Sequence, residues 1–85
     1  MSIEDIKNCE CVTFSTQEPM DNIDCAEWFK DNILPDEVEI IHDDGNYFEV
    51  CVEGKNYSCE IYGNGDFYHN LANFELLEEL NYDKQ

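Results

Sequence analysis

Five cysteines, two histidines and a dense population of carboxylates are the side chains in this 85-residue chain that could do chemistry. Cys9-x-Cys11 sends both thiols to the same side of an extended segment, and the chain has no C-x2-C pair. Zinc knuckles and plant-type ferredoxin clusters therefore lack their ligand spacing. His42 and His69 have no Ser or Cys at a spacing that would make a nucleophile and its base, so both read as core or turn residues. "DDGN" (43–46) and "GNGD" (63–66) resemble fragments of calcium loops, but neither continues into the twelve-residue EF-hand pattern, and both read as turns. No Gly-rich phosphate loop is present. Acid pairs such as Glu49 and Glu60 could share a proton in acid–base work, yet the surface that carries them reads as flat. The expectation is a non-enzyme without metal or cofactor.

What the carboxylates offer instead is charge. Twenty-one Asp and Glu stand against four Lys and no Arg, a net charge of −17. Such self-repulsion opposes compaction. Ordinary solubility needs a net charge of only about 2–8 in magnitude, so a solubility surface or salt adaptation is the blander reading. Direct binding of DNA or RNA needs clustered Lys and Arg and is excluded on charge. An anionic membrane surface is excluded for the same reason. A basic protein surface is the natural partner. The opening "MSIEDIKNCE" has no basic n-region or apolar h-region, and apolar runs are only a few residues long. A cytoplasmic setting follows, in which all five cysteines stay reduced and act as small hydrophobes.

These side chains need a scaffold, and the sequence predicts one compact acidic domain over 1–85. A domain of this size buries only about 60–65% of its unfolded surface. Its 42% apolar and 13% aromatic residues suffice for a thin core. Ser2 with Asp5 three residues later resembles a capping box before a short helical turn. "CECVTFST" alternates and predicts a strand over 10–15. "DNIDCAEWFKDNILP" predicts a helix over 22–33, with Asp21 or Asp24 as N-cap and Pro35 as stop. Its core stripe is Cys25, Trp28 or Phe29, and Ile33, and Asp24, Glu27 and Asp31 form a solvent side. Asn64-Gly65 carries a type I′ hairpin signal, and Phe67-Tyr68 begins a fourth strand. "NLANFELLEELNYD" predicts a second helix over 71–80 with Leu71, Phe74, Leu77 and Leu80 or Tyr82 as its stripe. The fold class is α+β: a central antiparallel meander of three or four strands with two helices packed on one face.

The meander itself is "EVEIIHDDGNYFEVCVEGKNYSCEIY", residues 37–62. A type II′ turn at Gly54-Lys55 pairs Val50 with Cys59 and Glu49 with Glu60. A three-residue loop at Asp44-Gly45-Asn46 sets Ile40 beside Val50, with Asn46 left-handed. His42, Phe48 and Ile61 then share an inward row, as do Val38, Val52 and Tyr57. The outward face collects Glu37, Glu39, Glu49, Glu53 and Glu60 with Tyr47 and Tyr62 as aromatic anchors. In this register Glu49 faces Glu60 and Glu37 faces Glu53, with no Lys to relieve either. Like charges directly across a ladder destabilise by up to about 1 kcal/mol each, and a face set against its own stability marks functional surface. Carboxylates two residues apart on one strand lie about 6.5–7 Å apart, close to the spacing of phosphates along a nucleic-acid strand. These seven residues are the candidate partner-binding set.

Small size, absence of Arg, this acidic meander and flanking helices together resemble the small inhibitors that phages and mobile elements encode. Anti-CRISPR proteins, anti-restriction proteins and uracil-DNA glycosylase inhibitors are of this kind, and many act as nucleic-acid mimics. The likeness spans the whole chain and is one of size, charge and architecture. By the order of elements it is nearest to anti-CRISPR inhibitors of Cas nucleases. It implies an inhibitor that occupies the basic nucleic-acid-binding surface of a host defence or DNA-processing protein, a Cas effector among them, in the host cytoplasm. The alternative is a bacterial immunity or adaptor protein that neutralises a basic toxin.

Overall fold

A computed structural model describes residues 1–63 and 69–77. In chain order the elements are α1 (Ile3–Lys7), β1 (Cys11–Phe14), α2 (Asn22–Asn32), β2 (Glu39–Asp44), β3 (Tyr47–Val52), β4 (Lys55–Tyr62) and β5 (Asn70–Leu76). The five strands form one antiparallel sheet in the order β1-β5-β4-β3-β2. The class is α+β. The sheet has five strands rather than three or four, because the expected helix over 71–80 is overturned: residues 70–76 are a strand. Its remaining residues, 78–80, and the expected turn and fourth strand at 64–68 lie outside the described residues.

Alternation decides which face is buried. Phe48, Val50 and Val52 on β3, Tyr57, Cys59 and Ile61 on β4, and Ala72 and Phe74 on β5 all point to one side and are buried. The two helices add Ile6, Cys25, Ala26 and Phe29 to that same cluster, so both cover one face, here the inner face. Phe29 is the hub. Its ring lies 4.9 Å from Phe14, 6.4 Å from Phe48 and 6.3 Å from Phe74 between centroids, separations at which tilted rings attract. Trp28 is only part-buried and stacks on Phe14 at 6.2 Å.

Local chemistry starts the helices where the sequence suggests. Asp21 caps α2, its Oδ1 accepting the Asp24 N–H at 2.8 Å. Asp5 Oδ2 accepts the Ser2 N–H at 3.1 Å, the backward half of a capping box.

Both hairpin registers differ from expectation, and in an instructive way. The β2–β3 loop is two residues, Gly45-Asn46, with Asp44 opposite Tyr47. It is Gly45, not Asn46, that carries the positive φ, at 72°. Asn46 is instead tied to β4, its O accepting the Ile61 N–H at 2.8 Å. Continued without interruption, this register would set Ile41 opposite Val50. A bulge between Ile40 and His42 absorbs one residue and restores Ile40 to Val50 and Glu39 to Cys51. The expected pair is met through a different device. The bulge also moves His42 off the inward row: it pairs with Glu49 and is exposed.

The β3–β4 turn is Glu53-Gly54, both with positive φ (52° and 84°), as a type I′ turn requires. Val50 therefore faces Tyr57 and Phe48 faces Cys59. The shift from the expected register is two residues. A shift of two keeps every side chain on its face, so the inward sets of β3 and β4 stand while their cross-strand partners change.

Candidate protein-docking face

The outer face of the sheet is built by the residues between the buried ones. Reading across β3, β4 and β5, one row is Tyr47, Glu60 and Asn73, and the next is Glu49, Ser58 and Glu75. Beyond them Tyr62 pairs with Leu71, and Cys51 sits between Glu39 and Asn56. Five of the seven expected residues thus share this face: Glu39, Tyr47, Glu49, Glu60 and Tyr62. Two do not. Glu53 lies in the β3–β4 turn, where its Oε1 is 2.9 Å from Lys7 Nζ, and Glu37 is exposed ahead of β2. The Glu37–Glu53 opposition is absent, and a lysine does relieve Glu53.

The Glu49–Glu60 opposition is also overturned. Glu49 lies opposite Ser58, and Glu60 opposite Tyr47 and Asn73. Glu49, Glu60 and Glu75 make a zigzag across three strands, each acid diagonal to the next, about 7–8 Å apart. No two of them sit directly across a ladder, so each has a neutral neighbour. Nor do they lie two apart on one strand, so the expected same-strand spacing of about 6.5–7 Å does not relate these three.

A tyrosine holds one of these carboxylates. Tyr47 Oη donates to Glu49 Oε2 at 2.9 Å, and that bond is the main cause raising the Tyr47 pKa above its ordinary value, with partial burial second. The Tyr62 pKa is raised as well, the nearby Glu60 carboxylate being the main cause, ahead of desolvation and the charge of Glu75. Both phenols therefore stay protonated donors at neutral pH.

The cations lie elsewhere. Lys7 on α1 reaches Glu53 and, at 3.5 Å, Glu4. Lys30 on α2 is only 5% exposed in its side chain and meets Asp43 at 2.7 Å and Glu27 at 3.1 Å, its Nζ 5.2 Å from the centre of the Phe48 ring. Lys55 pairs with inward-facing Val52 at the start of β4. Among the described residues, the outer-face strand positions carry no lysine, and His42 is the one histidine on them.

Other chemistry finds little support. Among the described residues no group of three or more His, Cys, Asp and Glu is placed to hold a metal ion. All five cysteines are free; Cys51 is on the outer face and Cys59 on the inner, too far round the sheet to be bridged. Burial pushes the Cys25 and Cys59 thiols up, away from reactivity. A cleft of ≈ 320 Å³ is lined by Glu4, Lys7, Asn8, Val52, Glu53, Lys55 and Tyr57, at the turn end of the sheet and off the outer face. No described helix is long and apolar enough to cross a membrane.

Glu75, Leu71 and Asn73 are outer-face residues that sequence reasoning missed because their segment read as a helix; Asp44, read as a loop residue, and His42, read as inward, are two more. For the first three the signal was present: Ala72, Phe74 and Leu76 alternate with Leu71, Asn73 and Glu75 at period two. Comparison of the chain with protein families, with curated proteins and with solved structures returns no match.

Proposed function

We propose that the outer sheet face docks onto a basic surface that another protein uses to hold nucleic acid, and so inhibits that protein. The target class is a host defence or DNA-processing protein, with Cas effectors among the candidates, and the chain itself binds no nucleic acid. One observation carries this reading: charge is segregated by face. Among the described residues, Glu39, Asp44, Glu49, Glu60 and Glu75 lie on strand positions of a sheet face that no helix covers and that carries no lysine, while Lys7 and Lys30 are engaged by acids on the helix side. Tyr47 and Tyr62 supply aromatic surface beside the acids, of the kind that turns charge attraction into a specific dock.

The test is binding to the captured target as salt is raised and nucleic acid is added. Association should slow and affinity fall with salt, because steering is screened beyond a Debye length of about 8 Å at physiological ionic strength. DNA or guide RNA should compete. The double variant Glu49→Gln/Glu60→Gln should bind more weakly with its fold intact. An affinity indifferent to salt, with the variant at full strength, rejects the proposal. Salt sensitivity without competition by nucleic acid points instead to the immunity or adaptor reading, in which the partner is basic for other reasons.

A further inference from the structure

Among the described residues the sheet has two open edges, and they are not alike. β1, at one end, is four residues long. β2, at the other, is six residues long and exposed at every position. An edge strand leaves one row of backbone N–H and C=O groups unpaired, which is a template for another strand. Three of the six large apolar side chains exposed among the described residues sit on β2 or beside its terminal turn. Ile40 is 39% exposed, Ile41 is 44% exposed, and exposed Ile23 of α2 lies where a Cβ on Gly45 would be 3.7 Å from its Cγ1. Ile40 has inner-face register, opposite Val50, whereas Ile41 is the extra residue of the bulge next to Glu49's partner His42. The edge thus offers apolar contact along its length, flanked by Glu39, Asp43 and Asp44.

We infer that β2 accepts a short extended segment of a partner by strand addition, and that this segment is basic, with Lys or Arg alternating with apolar residues. Charge selects the occupant. A second copy of this chain would set Glu39, Asp43 and Asp44 against the same acids and bring −17 toward −17, so self-pairing is opposed. The bulge breaks the flat run that long edge-to-edge stacking needs, which limits the added strand to a few residues. Strand addition draws affinity from main-chain hydrogen bonds and specificity from alternate side chains. A basic segment meets Glu39 and Asp44, Asp43 being held by Lys30, while its apolar residues meet Ile40 and Ile41. This contact goes beyond the face proposed above, which needs no main-chain pairing.

The probe is a synthetic Lys/Val alternating peptide matched to the length of β2, with an all-Lys peptide of equal charge as control. Backbone amide NMR of the full chain gives the readout. The alternating peptide should shift β2 amides and slow their hydrogen exchange, and the all-Lys peptide should not slow it. Ile41→Lys and, separately, Ile40→Lys place a cation on the edge, a natural guard against strand addition. Each should weaken the alternating peptide by about tenfold or more while leaving the amide spectrum of the other strands unchanged. Glu49→Gln/Glu60→Gln should leave this binding in place, which separates the edge contact from the face contact. Shifts confined to outer-face residues, equal effects of the two peptides, or unaltered affinity in both lysine variants overturn the inference. So does β2 protection that grows with protein concentration alone, since that assigns the edge to a second copy.

Discussion

The two faces of one sheet follow opposite rules. On the helix side, Phe29 gathers three aromatic rings, and both helix lysines are held by acids: Lys30 by Asp43 and Glu27, Lys7 by Glu53 and Glu4. On the other side, acids stand without a lysine among the described residues, and Tyr47 donates to Glu49. Strands that supply both faces alternate between them residue by residue, so the difference is drawn by side-chain choice and not by separate elements. Stability is concentrated on one face, which leaves the other free to carry charge.

That contrast can be broken most forcefully at its hub. Phe29→Ala removes a fully buried ring and should cost about 3–5 kcal/mol of unfolding free energy. For a domain of this size that is a large share of the total. Chemical denaturation followed by circular dichroism would measure it.

A smaller effect is expected at Lys30. Its partners Asp43 and Glu27 are themselves part-exposed, so Lys30→Met, which keeps the apolar stem over Phe48, should cost about 1 kcal/mol. β2 should exchange its amides faster, because the bridge to Asp43 is a tie to that edge. The pH dependence has a definite sign. Burial works to lower the Lys30 pKa, but the hydrogen bonds that Lys30 donates to Asp43 and Glu27 outweigh it and the pKa is raised. A raised base is stabilising below its unfolded value of about 10.4 and loses that contribution as pH climbs through the folded value. The difference between wild type and Lys30→Met should therefore be full at neutral pH and shrink only in strong alkali.

The smallest stability effect belongs to the outer face. Glu49→Gln/Glu60→Gln should change stability by no more than about 0.5 kcal/mol, as surface substitutions do. Had the two acids stood directly opposed, their removal would have firmed the fold by up to about 1 kcal/mol. A gain that large would contradict the diagonal arrangement, and denaturation midpoints would reveal it.

The sequence made the inner face readable because period-two alternation in residues 47–62 admits one burial pattern. It could not place the turns to better than two residues, since Gly54 fits either central position of a two-residue loop and both choices bury the same side chains. The bulge was hidden too: a single extra residue at Ile41 leaves no compositional mark. β5 was misread for a different reason. "NLANFELLEEL" satisfies helical spacing through Leu71 and Phe74 and is rich in Leu and Glu, good helix formers. What decides it is non-local: β4 on one side and β1 on the other provide ladders that no local window contains. Of the candidate face, the acids and tyrosines of β3 and β4 were legible. Glu75 waited on the strand that carries it.

The two-residue freedom of the β3–β4 hairpin has a consequence for how such a surface could change over generations. Moving the turn from Glu53-Gly54 to Gly54-Lys55 would keep Phe48, Val50, Val52, Tyr57, Cys59 and Ile61 inward and deal every outward residue a new neighbour. The interior constrains only odd against even. A lineage pressed by a partner that altered its basic surface could redraw its map of charges by sliding one hairpin, with the hydrophobic residues left as they were.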